Sequence, residues 1–269
     1  MKQIALSLFR KIGILPVLEN LRYVLIANRL AKKNQEFIKL NPDFKLPPQY
    51  LAYDAYSAPD WFFYKESGIN AASFISNKIK EKLTTSETKN ILEWGCGPSR
   101  IIRHLPSYLG NDFHIYGTDY NKETIKWCSE AINGVTFKVN DLIPPIPFDN
   151  HFFDFIYCFS VLTHLSEEMC QQWLADLKRV VRPGGFILLT THGDHYYDSM
   201  LLKSERDIYK NKGVIIRKNV KEGSRTYVSF HSPDYMRDLF SSLNLKVVEF
   251  KPSGWFSYTF QDYWLVQSL

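Results

Sequence analysis

The sequence has little cysteine and no long apolar run. Its four cysteines among 269 residues lie far apart and form no Cys-x-x-Cys pair, which predicts reduced thiols and a cytoplasmic protein rather than a disulfide framework. Near the start of the chain, Arg10 and Lys11 interrupt one apolar stretch, and Glu19 and Arg22 interrupt the next. These charges predict neither a cleaved signal nor a membrane-spanning helix. The cysteines are Cys96, Cys128, Cys158 and Cys170.

A strong charge of one sign is also missing. The chain has 33 basic and 28 acidic residues, a net charge of +5, with no polybasic tract apparent. A nucleic-acid partner is therefore compatible with the sequence but not expected. A hydrophobic content of 45% and a charged content of 23% exclude disorder and indicate a globular protein, either one large domain with extensions or two small domains.

The first 88 residues are interpreted as an N-terminal helical extension and lid. Leu18, Leu21 and Leu25 recur at helical spacing, and Pro16 separates them from an earlier repeat formed by Ile4, Leu8 and Ile12. The extension packs on the main domain or, as the alternative, makes weak contact with a membrane surface. Residues 41–61 are interpreted as an ordered connector, and a helix is predicted over residues 71–83. Tyr64 lies between these two segments and belongs either to the lid or to the core.

From Asn90 onward, apolar runs alternate with helical patterns. Runs this continuous are typical of strands buried on both faces, and the helix between the fourth and fifth strands has Ser166 as its cap. The alternation predicts an α/β fold with a doubly wound parallel sheet, whose ligands bind at the carboxyl ends of the strands. The predicted strands are residues 90–94, 113–119, 135–139, 153–160 and 186–192.

A glycine-broken turn follows the first strand, in the stretch "ILEWGCGPSR". Gly95 and Gly97 let a nucleotide-like ligand approach the backbone, and Pro98 suits the first turn of a helix. A dinucleotide site requires a small residue at position 100, where Arg100 would obstruct a pyrophosphate. NAD is therefore the weaker candidate.

Carboxylates near this turn suit a cofactor without a pyrophosphate. Glu93 can organise the turn or bind the amino group of an amino acid, and Asp119 can accept hydrogen bonds from ribose hydroxyls. Asp141 can accept from an adenine amine, while Leu142 and Trp127 offer apolar surface to the ring. Adenine, ribose and an amino acid together describe S-adenosylmethionine.

The chain resembles the class I S-adenosylmethionine-dependent methyltransferases, with a type 11-like domain similar to that of uncharacterised bacterial members. The resemblance covers residues 89–269 and rests on the motifs "ILEWGCGPSR", "YGTDYN", "VNDLIPPIPF", "FDFIYCFSVLTHLSEE" and "LKRVVRPGGFILLTTHG". Ser99 stands where a third glycine is common. The resemblance implies a Rossmann-like, seven-stranded, mostly parallel sheet with a reversed last strand. The forty residues after the fifth strand contain a predicted hairpin, and this insertion, residues 193–231, is the expected acceptor pocket.

The motifs also give the expected site. His192 and His164 are the catalytic candidates, because His192 ends the fifth strand and His164 follows the fourth at the same sheet edge. An imidazole with an ordinary pKa near 6.5 can take a proton from a hydroxyl. The stretch "HGDH" from His192 to His195 has metal-like spacing but no supporting cluster, so no metal is expected. The predicted cofactor-binding residues are Glu93, Gly95, Cys96, Gly97, Asp119, Tyr120, Asn140, Asp141, Leu142, Phe159 and Ser160.

These features predict transfer of a methyl group to a small molecule or a glycan, most plausibly at a hydroxyl oxygen. The alternatives are a catalytically silent nucleotide-binding subunit and an NAD-dependent oxidoreductase. An RNA methyltransferase is a third possibility, but no aromatic and basic RNA-binding module of a known kind is visible.

Overall fold

A computed structural model describes residues 13–83, 87–253 and 260–269. The predicted repeat of Ile4, Leu8 and Ile12 lies outside the described residues. In chain order the helices and strands are α1 (Leu15–Leu40), α2 (Gln49–Tyr56), α3 (Trp61–Lys82), β1 (Lys89–Trp94), α4 (Leu105–Leu109), β2 (Phe113–Asp119), α5 (Lys122–Ala131), β3 (Thr136–Val139), β4 (Phe153–Cys158), α6 (Glu167–Val180), β5 (Val181–Thr191), α7 (Tyr196–Ser199), α8 (Lys203–Lys212), β6 (Val214–Arg217), β7 (Val228–His231), α9 (Pro233–Ser242), β8 (Leu245–Lys251) and β9 (Asp262–Ser268). Short 3-10 turns cover Ile102–His104 and Leu162–His164.

Seven strands form one sheet in the order β3-β2-β1-β4-β5-β9-β8. The pairs β1–β2, β2–β3 and β4–β5 are parallel, whereas β9 runs antiparallel to both of its neighbours. Strands β6 and β7 form a separate antiparallel pair within the insertion after β5. The predicted α/β fold, with its reversed last strand and hairpin insertion, is confirmed.

The chain divides into two compact units, which are described in turn. One comprises residues 16–140, and the other includes residues 141–269. The boundary predicted between residues 88 and 89 falls inside the first unit, so the helices that precede β1 belong to the same unit as β1, β2 and β3.

In the first unit, α3 begins ten residues before the predicted helix. Asp60 is its N-cap, because the Asp60 side chain accepts a hydrogen bond from the Phe63 N–H at 3.2 Å. The Lys33 ammonium lies 2.6 Å from the same carboxylate and joins α1 to this cap. A buried cluster joins α1, α2 and α3, and its members are Phe37, Ala52, Trp61 and Tyr64.

Helix α1 is continuous from Leu15, with Pro16 in its first turn, where a missing N–H breaks no helical bond. Four apolar side chains at helical spacing stay more than half exposed along it, namely Val17, Leu21, Val24 and Leu25. Among the described residues, no helix combines the length and the apolar character needed to cross a membrane.

In the second unit, all six residues of β4 are buried, as expected for a central strand. Helix α6 begins as predicted, because the Ser166 hydroxyl accepts a hydrogen bond from the Met169 N–H at 3.3 Å. The insertion contains α7 and α8 in addition to the hairpin, and sequence analysis predicted only the hairpin.

Candidate active site

The turn after β1 has an unusual backbone. Gly95, Gly97 and Ser99 have φ angles of 71°, 50° and 57°, all in the left-handed region. A Cβ atom at Gly97 would lie 3.2 Å from the Tyr56 hydroxyl oxygen, so the turn also packs closely against α2. Ser99 adopts the conformation that explains why glycine is common at this position, and it does so fully buried.

The N–H groups of this turn are already used within the protein. Cys96 donates to the Thr118 carbonyl at 2.8 Å, Gly97 donates to Asp119 Oδ2 at 3.0 Å, and Ser99 donates to the Cys96 carbonyl at 3.1 Å. Pro98 has no N–H. From Cys96 to Ser99, the turn therefore offers no backbone donor to a phosphate, which fits S-adenosylmethionine better than a dinucleotide.

Asp119 ends β2 beside the turn and is half-buried. Its Oδ1 accepts from the Asn121 N–H at 2.8 Å, while Oδ2 accepts from Gly97. Burial raises the pKa of Asp119 to about 6, against the opposing effect of the Asn121 and Gly97 N–H groups. The side chain is therefore mainly a carboxylate at pH 7, and its remaining lone pairs fit ribose hydroxyls.

Glu93 and Cys96 are buried beneath this turn. Glu93 Oε2 accepts a hydrogen bond from the Ile102 N–H at 3.1 Å. Of the two roles predicted for Glu93, this contact corresponds to organising the turn. Burial raises the pKa of the Cys96 thiol well above its ordinary value. Cys96 therefore stays protonated, as a small packing side chain does.

Helix α3 supports the turn from below. The Tyr64 hydroxyl, which is buried, donates to the Pro98 carbonyl at 2.5 Å, and Arg100 Nη1 donates to Ser67 Oγ at 2.8 Å. A Cβ atom at Gly68 would lie 2.0 Å from the Arg100 carbonyl oxygen, so only glycine fits there. Of the two roles predicted for Tyr64, these contacts correspond to core packing.

The other predicted cofactor residues fall in both units. In the first unit, burial raises the pKa of Tyr120 to about 12, and the buried Asn140 donates its N–H to the Asp119 carbonyl at 3.2 Å. In the second unit, Asp141 is exposed and the Leu142 carbonyl accepts from Trp173 Nε1 at 2.9 Å. Phe159 and Ser160, both half-buried, follow β4 in that unit.

His192 lies in a polar cluster of the second unit. Its Nδ1 is 3.1 Å from the Ser229 carbonyl oxygen, and its Nε2 is 3.2 Å from Gln261 Nε2. Because a carbonyl only accepts, Nδ1 carries the proton and Nε2 directs its lone pair at the Gln261 amide. Gln261 also donates to Ser160 Oγ and accepts from Thr190 Oγ1 at 2.5 Å, so its side chain is held at both ends.

The environment of His192 changes its acidity. Burial, together with the charge that His164 can carry, lowers the pKa of His192 to about 3, against the opposing effect of the hydrogen bond to the Ser229 carbonyl. The ring is therefore neutral at physiological pH, and its pKa is not the ordinary value that the sequence suggested. The assignment of His192 as catalytic base stays a prediction.

His164 holds the end of the hairpin. Its Nδ1 lies 2.7 Å from the Tyr227 carbonyl oxygen, and its own carbonyl accepts from the Gly223 N–H at 2.9 Å. Both contacts join the segment after β4 to the residues between β6 and β7. His164 therefore has a structural role in the insertion.

The residues of "HGDH" have separate partners. His195 is exposed and its ring stacks on Phe260 with centroids 4.9 Å apart, while Asp194 Oδ1 accepts from the Tyr209 hydroxyl at 2.9 Å. Within residues 13–83, 87–253 and 260–269, no group of three or more His, Cys, Asp or Glu side chains is arranged to hold a metal ion.

Comparison with known proteins identifies the domain. Residues 91–185, which include the turn after β1 and all of α6, match the family model described as a methyltransferase domain. The chain contains a class I S-adenosylmethionine-dependent methyltransferase domain. A solved S-adenosylmethionine-dependent methyltransferase of Methanosarcina mazei shares the fold, with a TM-score of 0.55 and 20% identity over 71% of this chain and 97% of the other. The predicted enzyme class and cofactor are confirmed for this domain.

Two curated relatives extend the comparison. A tRNA N(3)-methylcytidine methyltransferase of Schizosaccharomyces pombe is 26% identical over 82% of this methyltransferase and 73% of its own length. A tRNA N(3)-cytidine methyltransferase of Danio rerio is 26% identical over 61% of this chain and 47% of its own length. The chain spans less than half the length of several curated relatives that it matches.

These relatives correct two predictions. Their named acceptor is tRNA, which contradicts the expected small-molecule or glycan acceptor and the expectation of no nucleic-acid partner. The role of His192 as base was predicted for a hydroxyl acceptor and for an ordinary imidazole pKa, whereas its pKa is lowered to about 3. The NAD-dependent alternative is also wrong, in agreement with the absence of a phosphate-binding donor between Cys96 and Ser99.

Proposed function

We propose that this protein transfers a methyl group from S-adenosylmethionine to a pyrimidine base of tRNA, with N3 of cytidine as the acceptor atom. The observation that carries the proposal is the similarity to the Schizosaccharomyces pombe tRNA N(3)-methylcytidine methyltransferase, which extends over 82% of this chain. The Danio rerio relative supports the same acceptor.

The chemistry of this acceptor agrees with the polar cluster of the second unit. N3 of cytidine has a lone pair and no proton, so the protein must position the base and exclude water, and it needs no strong base. When bound, S-adenosylmethionine supplies a methyl group on a sulfonium; the N3 lone pair forms the new bond and the S–C pair stays on sulfur. A neutral His192, fixed by Ser229 and Gln261, suits positioning. We retain His192 and His164 as proposed catalytic-site residues.

The same proposal assigns the remaining parts of the chain. Glu93, Asp119 and the turn between them form the cofactor side, helices α2 and α3 of the N-terminal extension support that turn, and the insertion of residues 193–231 receives the acceptor. We place the protein in the cytoplasm, because its four cysteines are free and buried thiols.

The test is methyl transfer to RNA by the full chain. The protein is incubated with methyl-labelled S-adenosylmethionine and unmodified tRNA transcripts, and the RNA is then digested to nucleosides. We expect the label in 3-methylcytidine, and no label when uridine replaces the target cytidine in the same transcript. Label in a uridine derivative would move the acceptor atom. No label in any tRNA, from protein that binds S-adenosylhomocysteine in calorimetry, would overturn the proposal.

A further inference from the structure

One short segment has a net positive charge as large as that of the whole chain. Residues 210–225 contain six basic residues and a single acidic one, which gives the segment a net charge of +5, equal to that of the whole chain. The rest of the chain is therefore neutral overall. The six basic residues are Lys210, Lys212, Arg217, Lys218, Lys221 and Arg225.

Part of this charge has partners inside the protein. Arg217 Nη2 lies 2.8 Å from Glu205 Oε2, and the Lys210 ammonium lies over the Tyr197 ring, 5.5 Å from its centroid. The hairpin loop, which we define as residues 218–227, contains three of the six basic residues. Lys218 and Lys221 are both exposed there, on either side of Asn219, whose φ of 72° turns the chain.

The hairpin loop is held rigidly to the segment that follows β4. The Gly223 N–H and the Tyr227 carbonyl bind the backbone and ring of His164, as described above. Glu222, the acidic residue of the segment, accepts from the Ser166 N–H at 2.5 Å. Its carboxylate is thereby held by the helix α6 N-terminus, while the two lysines remain at the surface.

We propose that the hairpin loop binds the phosphate backbone of the RNA substrate through Lys218 and Lys221, with Arg225 beside them. The inference rests on the proposed function, since it assigns the surface that holds tRNA next to His164. Lysines act as point charges on phosphates and carry no base specificity, so this loop positions the RNA and does not select the base. The contacts of His164, Glu222 and Tyr227 hold the backbone of the hairpin loop before RNA arrives, which reduces the backbone entropy lost on binding.

Salt dependence tests the proposal. Binding of an unmodified tRNA transcript is measured at several salt concentrations for the full chain, for Lys218→Ala/Lys221→Ala and for a matched control, Lys246→Ala/Lys251→Ala, which removes two exposed lysines from β8. Each lost phosphate contact reduces the slope of log K against log salt by about 0.7 to 0.9. We expect the loop variant to lose about 1.5 of the slope and to raise KM for tRNA about tenfold at unchanged kcat. The control should match the wild type. Lys218→Arg/Lys221→Arg keeps both charges and should show the wild-type slope of log K against log salt.

A second variant separates a fixed surface from net charge. Glu222→Ala makes the loop more positive, so bulk attraction alone predicts tighter tRNA binding. The anchored loop predicts a KM several-fold higher, because the Ser166 contact is lost. Tighter binding by Glu222→Ala would overturn the anchoring.

Other outcomes distinguish this inference from the proposed function. If the wild type methylates tRNA and the loop variant keeps its KM and slope, the inference is wrong and the proposed function stands. If the wild type neither binds nor methylates tRNA, the proposed function itself fails. If Lys218→Ala/Lys221→Ala loses the binding to phosphatidylserine vesicles that the wild type shows and keeps its tRNA binding, the hairpin loop is assigned to a membrane surface instead.

Discussion

The turn after β1 and the hairpin loop are both fixed by hydrogen bonds, but the sequence records them differently. The turn needs a bare, left-handed backbone, so it contains Gly95 and Gly97, and its donors bind Asp119 and Thr118. The hairpin loop needs exposed charge on an anchored backbone, so it uses common residues and contacts with His164 and Ser166. A site built on backbone geometry leaves a motif, whereas a site built on surface charge leaves only a local excess of charge.

The largest expected effect comes from closing the space under the turn. Gly68→Ala places a Cβ atom 2.0 Å from the Arg100 carbonyl oxygen, and backbone must move to admit it. Helix propensity alone predicts a gain of about 1 kcal/mol for this change. The contact reverses the sign, and we expect urea denaturation to show a loss of about 3 kcal/mol in the free energy of unfolding.

The control for Gly68→Ala is Glu66→Ala, at an exposed position of the same helix. It should change the free energy of unfolding by less than about 0.5 kcal/mol. Affinity for S-adenosylhomocysteine should fall only in Gly68→Ala, because only that variant moves the turn. A Gly68→Ala protein as stable as the wild type would show that the turn yields easily and is not a rigid site.

The next effect tests the carboxylate that holds the turn. Asp119→Asn leaves one acceptor oxygen where two serve Gly97 and Asn121, and it removes the charge that suits ribose hydroxyls. We expect calorimetry to show a loss of about 1.5 to 3 kcal/mol in the binding free energy of S-adenosylhomocysteine. Asp112→Asn, exposed just before β2, is the matched control and should bind normally.

Asp119 also gives this prediction a pH dependence. Its folded pKa of about 6 lies above the unfolded value of about 3.9, so the folded state binds more protons between these limits. Without cofactor, its contribution to the free energy of unfolding therefore decreases as pH rises from about 4 to 6 and is constant above. Affinity for S-adenosylhomocysteine should rise through pH 6, since the carboxylate is the accepting form. An Asp119→Asn protein with the same pH profile as the wild type would remove Asp119 from the site.

The smallest expected effect concerns His192 in the second unit. With a pKa of about 3, His192 stays neutral between pH 5 and 8. Its titration should therefore cause no change in kcat near pH 6.5. His192→Ala should lower kcat about tenfold, the scale of one lost positioning hydrogen bond. The exposed His195→Ala is the control and should be silent. If the pH profile of kcat changes near pH 6.5 in the wild type but not in His192→Ala, and His192→Ala lowers kcat about 100-fold, His192 acts as the catalytic base after all.

The parts of the fold with strong periodicity were predictable. Strand β2 matches its predicted bounds, because its apolar run is buried, and α6 starts at its Ser166 cap. The start of α3 was missed because of how this helix packs. Its buried face carries Ser67 and Gly68 where an apolar repeat would continue, since that face must fit against Arg100.

The site was predictable only where backbone chemistry specified it. The glycines and Asp119 follow from the strand ends and turn, but the low pKa of His192 depends on burial and on partners such as Ser229 and Gln261, which are 37 and 69 residues away. The basic segment of residues 210–225 was visible in the sequence and was missed because charge was weighed over the whole chain.

The hairpin has an evolutionary consequence. Strands β6 and β7 pair with each other and lie outside the seven-stranded sheet. In chain order they come after β5 and before α9. The length and composition of the turn between them can therefore drift without changing the register of any strand in the main sheet. Exchange of this ten-residue turn would alter the surface of the insertion and leave in place the strands that carry Asp119 and the turn after β1.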